Sequence, residues 1–157
     1  AIISIIAQNF GARNFSRIKE TYFTAIKYSF FIMVVSGILI FLTSAVIPKF
    51  FSDDLQVIEY GKRYLKISAF VLPAYPFFFL TNGFFMALKK SENAMINNIA
   101  RNIVVPIIVF YLADYLSADY DSFFWLWVIF QWSVSIMLLI IVNYYIKNKL
   151  EKSRAIV

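Results

Sequence analysis

The sequence predicts an all-α integral membrane protein with four full transmembrane helices and one helix stub. Four long apolar runs, at about residues 22–47, 64–88, 94–112 and 122–146, can each cross a hydrocarbon core of about 30 Å. Hydrophobic residues make up 61% of the chain and charged residues only 15%, whereas soluble domains carry about 25% charged residues. Basic residues also concentrate in alternate loops, as expected when successive runs cross a bilayer.

The first apolar segment, residues 1–7, is too short to span a membrane and lacks the basic start of a signal peptide. We interpret it as the end of a further helix, which would make the chain a piece of a longer protein. The alternative is a short core-facing segment. Asn14 or Ser16 is placed to cap the first full helix, which is expected to end at Pro48.

Residues 53–61 predict a short interfacial helix that leads into the second run, because Asp53 and Gln56 form a capping-box pattern. A surface loop is the alternative. The second run contains Pro73 and Pro76, and the third contains Pro106. Proline leaves a backbone carbonyl without its helical donor. That carbonyl needs a partner within a bilayer, so these runs are expected to face protein or a cavity.

The distribution of Lys and Arg predicts the orientation. Nine basic residues flank one side of the four runs, and four flank the other. Because basic residues favour the cytoplasm, the segment at 8–20, the loop at 89–93 and the tail at 147–157 are expected there. The nine are Arg13, Arg17, Lys19, Lys89, Lys90, Lys147, Lys149, Lys152 and Arg154.

The absence of His and Cys from the sequence removes thiol nucleophiles, imidazole bases and nearly all zinc sites. Gly-rich phosphate-binding loops are also absent. The net charge of +6 is distributed as membrane flanks rather than as a basic face. We therefore expect neither an enzyme nor a nucleic-acid partner, and no cofactor.

Polar residues within the runs are the candidate functional groups. Arg101 follows Asn97 by four residues, and Asn102 follows Asn98 by four, so the two pairs share one side of a helix. Arg101 lies about 10 Å into its run at 1.5 Å per residue. It either extends to the cytoplasmic headgroups or lines a wet cavity. Thr81, Asn82 and Gln131 either bridge helices or contact a ligand.

The stretch Ala7–Phe15 resembles the cytoplasmic turn of multidrug and toxic compound extrusion (MATE) transporters, where Gln-Asn, Gly-Ala and basic residues join two helices. Residues 50–65 resemble the outer loop of that family: two Phe residues come first, an acidic turn follows at residues 53–54, and a Tyr-Leu pair stands at residues 64–65, where the next helix begins. Residues 87–90 resemble the inner end of its tenth helix, although Lys90 stands where a Gly is expected. The polar start and the Pro106 of the third run resemble its eleventh helix.

The resemblance implies that residues 1–157 form a C-terminal lobe fragment: the end of helix eight and helices nine to twelve of a twelve-helix, two-lobe transporter. One branch of the family has a carboxylate in the middle of the tenth helix, where this chain reads Phe77–Asn82. The coupling cation, H⁺ or Na⁺, is therefore expected to bind mainly in the missing N-terminal lobe. That lobe and membrane lipid are the expected macromolecular partners.

The function implied by the resemblance is antiport of a cation and an amphipathic organic cation by alternating access, in a bacterial or archaeal plasma membrane. Aromatic walls suit such substrates. The alternatives are a lipid-linked saccharide flippase of the same superfamily and a non-transporting membrane scaffold. The expected cavity-lining residues are Tyr75, Phe78, Thr81, Asn82, Asn98, Arg101, Asn102 and Gln131.

Overall fold

A computed structural model describes residues 2–150, with side chains described as far as residue 148; most of the predicted tail lies outside this part. Every regular element in the described part is helical. The helices are α1 (Ile2–Gly11), α2 (Phe15–Thr43), α3 (Leu55–Ser68), α4 (Tyr75–Ala87), α5 (Ser91–Ile99), α6 (Val105–Tyr115) and α7 (Tyr120–Tyr145). Two 3₁₀ turns (Ile47–Phe50 and Leu72–Ala74) and two π turns (Ala100–Val104 and Ile146–Leu150) complete the described elements.

Within residues 2–150, four helical segments are long and apolar enough to cross a membrane, which confirms the predicted fold class. They are Phe15–Thr43, Leu55–Ala87, Ser91–Tyr115 and Tyr120–Asn148. The first two begin earlier than the predicted starts at 22 and 64. Charged side chains fit well in the solvated end of a helix, so an apolar run gives only the lipid-facing part of each span.

Side-chain caps explain where the spans begin. Asn14 caps α2, and its Oδ1 accepts a hydrogen bond from the Arg17 N–H at 3.3 Å. The predicted cap at Asp53 is wrong, because Asp54 caps α3 by accepting from the Gln56 N–H at 2.7 Å. Residues 55–61 are helical, as predicted, and do not form a surface loop. They belong to α3, which continues unbroken from Leu55 to Ser68, so the helix is longer than predicted. Asp119 caps α7, and the hydroxyl and N–H of Ser122 lower the pKa of its carboxyl group.

The second span is broken between α3 and α4, where its two prolines lie. Pro73 cannot donate to the carbonyl of Ala69 or Phe70, and the Ala74 N–H bonds the Val71 carbonyl at 2.9 Å instead. The Phe70 carbonyl is satisfied by the indole N–H of Trp132 on α7, at 2.9 Å. A neighbouring helix thus supplies a donor to one of the two carbonyls at the break.

Small residues allow two close helix contacts. α2 approaches the break so closely at Gly37 that a Cβ there would lie 2.8 Å from the Ala69 carbonyl oxygen. Gly83 on α4 lies against α1, where a Cβ would be 3.3 Å from the side chain of Ile3. Gly83 therefore lets α1 pack closely against α4, as small residues do at helix contacts in membranes.

The larger of the two buried clusters joins α1, α2, α4, the first turn of α5 and the end of α7. Tyr22 lies at its centre with no exposed surface, and its ring packs edge-on against Phe84 at 5.2 Å between centroids. A smaller cluster, built on Ile67, Val71 and Val128, packs the break in the second span against α7. These two clusters fix α4 and α7 relative to each other.

In the described part of the chain, three turns contain a residue other than glycine in the left-handed region: Arg13 (φ 54°), Lys89 (φ 58°) and Ser117 (φ 48°). Each follows the C-terminus of a helix, where glycine is favoured because it has no Cβ. The missing glycine at position 90 does not distort the loop, because Lys90 has a φ of −116° and Lys89 takes the left-handed conformation.

Candidate functional site

The second and third spans face each other along a strip of polar and aromatic side chains. On α4, Tyr75, Phe78, Phe79 and Asn82 recur at intervals of three and four residues, so they share one face. Arg101 and its neighbours on the third span lie opposite. The strip begins just after the break in the second span, so the break determines which residues of α4 face inward.

Arg101 is the centre of the strip, and only 8% of its surface is exposed. Its guanidinium carbon lies 4.2 Å from the ring centroid of Phe78, 4.8 Å from that of Tyr75 and 5.7 Å from that of Phe79. Its Nε donates a hydrogen bond to Oε1 of Gln131 on α7 at 3.0 Å. We call these five residues the Arg101 cluster. The guanidinium is packed inside the protein rather than extended towards the headgroups.

The interaction energies around Arg101 explain how its charge is tolerated inside the membrane-spanning part of the protein. An Arg near the centre of a membrane helix costs about 2.5–3.5 kcal/mol on insertion scales. A desolvated cation–π contact stabilises the folded protein by about 2 kcal/mol. A hydrogen bond to a charged group contributes about 1.5–3 kcal/mol. The rings and Gln131 therefore offset the cost of burial, even though no carboxylate among residues 2–150 lies within ion-pair distance of Arg101.

A widened helical turn carries Arg101. Pro106 cannot donate to the carbonyl of Asn102, so the helix is disturbed one turn before the proline. The Val105 N–H instead bonds the Ala100 carbonyl, five residues back, which makes Ala100–Val104 a π turn. Arg101 points inward from this turn, whereas Asn102 is exposed and is not part of the strip.

Three asparagines continue the strip towards the next loop. Asn97 Nδ2 donates to Asn82 Oδ1 at 3.3 Å, and Asn82 Nδ2 donates to Asn98 Oδ1 at 3.4 Å. Asn98 Nδ2 also donates to the Ala94 carbonyl at 2.9 Å. We call Asn82, Asn97 and Asn98 the asparagine cluster. It bridges α4 and α5 and satisfies the amide of the buried Asn82.

Hydrogen bonds from α7 hold the other side of the strip. Ser135 Oγ lies 3.1 Å from the carbonyl oxygen of Ala74 and 2.8 Å from that of Gln131. Gln131 and Ser135 are both buried. Since Ala74 directly precedes α4, Ser135 links the start of α4 to the turn of α7 that presents Gln131 to Arg101.

Thr81 faces a different neighbour. Its hydroxyl oxygen lies 2.8 Å from the Tyr22 hydroxyl oxygen on α2, and both side chains are fully buried. This pair therefore bridges α2 and α4 within the larger buried cluster.

The model of the MatE family matches residues 1–112. The chain belongs to this family. No protein in the curated comparison set matches the chain. Membership in this family makes the chain part of a multi-pass membrane transporter. The matched residues include α4 and every residue that the third span contributes to the strip. Gln131 and Ser135, on α7, lie beyond the matched residues.

Of the eight residues that the sequence indicated, the structure of this MatE protein brings four into the Arg101 cluster: Tyr75, Phe78, Arg101 and Gln131. Asn82 and Asn98 belong to the asparagine cluster, next to it on the same strip. Thr81 and Asn102 lie apart from both, in the α2 contact and on the exposed face of the third span, respectively.

Two members of the strip were not among those eight. Asn97 precedes Arg101 by four residues, and this spacing already placed both on one side of the helix. Phe79 follows Tyr75 by four residues, so the same argument could have indicated it. The partnership of Tyr22 with Thr81 spans 59 positions of sequence. No local pattern connects residues that far apart.

Proposed function

We propose that this MatE protein exports amphipathic organic cations in exchange for H⁺ or Na⁺, by alternating access across a bacterial or archaeal plasma membrane. Family membership supplies the class of membrane transporter. To that class the proposal adds the organic-cation substrate, the exchange for H⁺ or Na⁺, and the plasma-membrane location. It assigns this chain to the C-terminal lobe and the coupling cation mainly to the N-terminal lobe, as the family resemblance implies.

The observation that supports an organic cation is the aromatic wall of the Arg101 cluster. Three ring faces already hold one planar cation, the guanidinium. Phe79 is 61% exposed, so part of the wall remains accessible to a ligand. A flat, apolar cation would gain both cation–π attraction and apolar contact at such a surface.

The position of the wall supports a role in transport rather than in static packing. The cluster joins two spans that are both irregular: the second is broken at Leu72–Ala74, and the third contains the π turn at Ala100–Val104. π turns inside membrane-length helices occur frequently at functional sites. We therefore assign the Arg101 cluster to the cargo-facing surface of the lobe.

The experiment measures efflux of a fluorescent cationic dye by the full-length protein in pump-deficient cells, normalised to the amount of protein in the membrane. Arg101→Lys should lose efflux as strongly as Arg101→Leu, because Lys keeps the charge but lacks the planar group that stacks on the rings. Arg63→Lys is the matched control. Arg63 is exposed and forms ion pairs with Glu59 and Asp121, so this exchange should leave efflux unchanged.

Wild-type efflux in Arg101→Lys would remove the Arg101 cluster from the mechanism. Asn82→Leu tests the asparagine cluster separately, since it removes both amide contacts to α5. We expect a partial loss of efflux, because α5 would no longer be fixed against α4. Unchanged efflux in both variants would leave no site residue in this chain.

A second candidate function is the flipping of a lipid-linked anionic saccharide. The lack of a carboxylate near Arg101 among residues 2–150 favours it, because the guanidinium could then pair with an anionic cargo. Arg101→Gln separates the two functions. For an anionic cargo, removing the charge should abolish transport; for a cationic dye, it removes a repulsive charge, and efflux should fall less than in Arg101→Leu.

A further inference from the structure

A cavity lies away from the Arg101 cluster, between α2 and the break in the second span. Its volume is about 340 Å³, within the range of about 300–1,000 Å³ typical of ligand pockets. We call it the α2 groove. It is lined by residues of α2 between Val34 and Leu42, by residues of the break between Ala69 and Pro73, and by Trp132 of α7. No residue of the Arg101 cluster lines it.

The α2 groove contains no polar side-chain group that is free to form a hydrogen bond with water. Its lining side chains are apolar apart from the indole N–H of Trp132, which already donates to the Phe70 carbonyl. The Ala69 carbonyl oxygen is covered by the close approach of Gly37. Cavities without polar partners stay dry and accept apolar molecules. The chemistry of the groove therefore suits a hydrocarbon chain.

The surroundings of the groove make lipid the source of that chain. Its walls come from three membrane-spanning segments, mainly Phe15–Thr43 and Leu55–Ala87, with Trp132 of Tyr120–Asn148 closing one side. Ile38 is 54% exposed and Leu42 is 70% exposed, so the groove is open along α2. A cleft that opens between two spans meets the acyl region of the bilayer.

A positive charge lies at one end of the groove. The Lys66 ammonium is 5.6 Å from the ring centroid of Phe41, a lining residue, and Lys66 precedes Phe70 by one helical turn. No carboxylate within residues 2–150 lies within ion-pair distance of Lys66. Trp125, whose ring is 5.5 Å from that of Phe70, adds an aromatic residue of the type enriched at headgroup level.

From these observations we infer that the α2 groove binds a phospholipid, with one acyl chain between α2 and the broken span and the phosphate at Lys66. The apolar lining accounts for the chain, and Lys66 accounts for the preference for a phosphate-bearing lipid over other apolar molecules. The inference depends on the membrane location of the chain and not on the identity of the cargo.

The test uses the full-length protein in vesicles of phosphatidylethanolamine and phosphatidylglycerol that contain a phosphatidylglycerol with a photoreactive acyl chain. Crosslinked residues are mapped by mass spectrometry. We expect labelling at residues of the groove. Ile38→Trp should reduce it at least fivefold, because the larger side chain fills the groove from an exposed position. The matched control is Ile140→Trp on α7, where Ile140 is 63% exposed and does not line the groove; it should leave labelling unchanged.

Lys66→Gln should reduce labelling roughly fivefold, as expected for one basic residue near an anionic lipid. Lys49→Gln, an exposed lysine that does not line the groove, is its control and should have no effect. Unchanged labelling in Lys66→Gln would overturn the assignment of a phospholipid. Full labelling in Ile38→Trp, or equal loss in Ile140→Trp, would overturn the site itself.

A photoreactive amino acid at position 38 tests whether another part of the protein fills the groove. We expect it to crosslink to lipid. Crosslinking instead to a second copy of the chain, or to another segment of the same protein, would overturn the proposal, since the groove would then be a protein interface.

Discussion

Replacing Gly37 with Ala should destabilise the protein, because the added Cβ would lie 2.8 Å from the Ala69 carbonyl oxygen. That oxygen belongs to the backbone of the broken span, so a side-chain rotation cannot relieve the contact. Overpacking of this kind costs about 1–3 kcal/mol. The exchange also replaces a glycine inside a helix by alanine, which by itself stabilises the helix by about 0.5–1 kcal/mol. The midpoints of these two ranges leave a net loss of roughly 1 kcal/mol.

The other glycines provide a graded set of controls. A Cβ at Gly11 would meet nothing within 4 Å, so Gly11→Ala should be neutral or stabilising by up to about 1 kcal/mol. A Cβ at Gly83 would meet the flexible Ile3 side chain at 3.3 Å, and one at Gly61 would meet the ring of Pro48 at 3.1 Å. Both variants should fall between Gly11→Ala and Gly37→Ala.

The assay is the thermal unfolding midpoint of each full-length variant in one detergent, read from the fraction of monodisperse protein left after heating. The predicted order of midpoints, from highest to lowest, is Gly11→Ala, Gly83→Ala, Gly61→Ala and Gly37→Ala. A Gly37→Ala protein as stable as Gly11→Ala would refute the close approach of α2 to the broken span.

Three further outcomes are expected. Trp132→Phe should lower stability by about 1–3 kcal/mol, measured by the same unfolding assay, because the Phe70 carbonyl loses its donor within the membrane. Lys89→Gly should raise stability by about 1 kcal/mol in that assay, since the left-handed φ of 58° costs a side-chain-bearing residue roughly that much; a decrease would contradict the turn geometry. For topology, a membrane-impermeant thiol reagent should label Ser91→Cys only from the cytoplasm and Ser117→Cys only from outside, and the reverse would overturn the charge-based orientation.

The four spans could be predicted from the sequence because lipid imposes a length requirement on apolar runs. The break in the second span was indicated by Pro73, since the loss of a helical donor depends only on the position of a proline. The identity of the replacement donor could not be inferred. Trp132 follows Phe70 by 62 positions, and only the packing of α7 on the break brings them together.

The candidate site was predictable within one helix but not between helices. The spacing of Asn97 and Arg101 places both on one side of the third span, and both face α4. The same argument included Asn102, which is exposed. Simple helical periodicity assumes a uniform turn, and the π turn at Ala100–Val104 breaks that assumption at the residue where the prediction fails.

The π turn also affects which changes in chain length the third span tolerates. A π turn is in effect one extra residue accommodated within an α-helix, so the regular helix before and after it keeps nearly the same phase. Deleting one residue within Ala100–Val104 would restore a regular turn and leave the buried face of α6, formed by Val109 and Ala113, directed towards its present neighbours. Deleting Ile108 would instead rotate everything beyond it by about 100° and turn Val109 and Ala113 away from their neighbours. In this span, homologous sequences of different length are expected to align with their gap at residues 100–104.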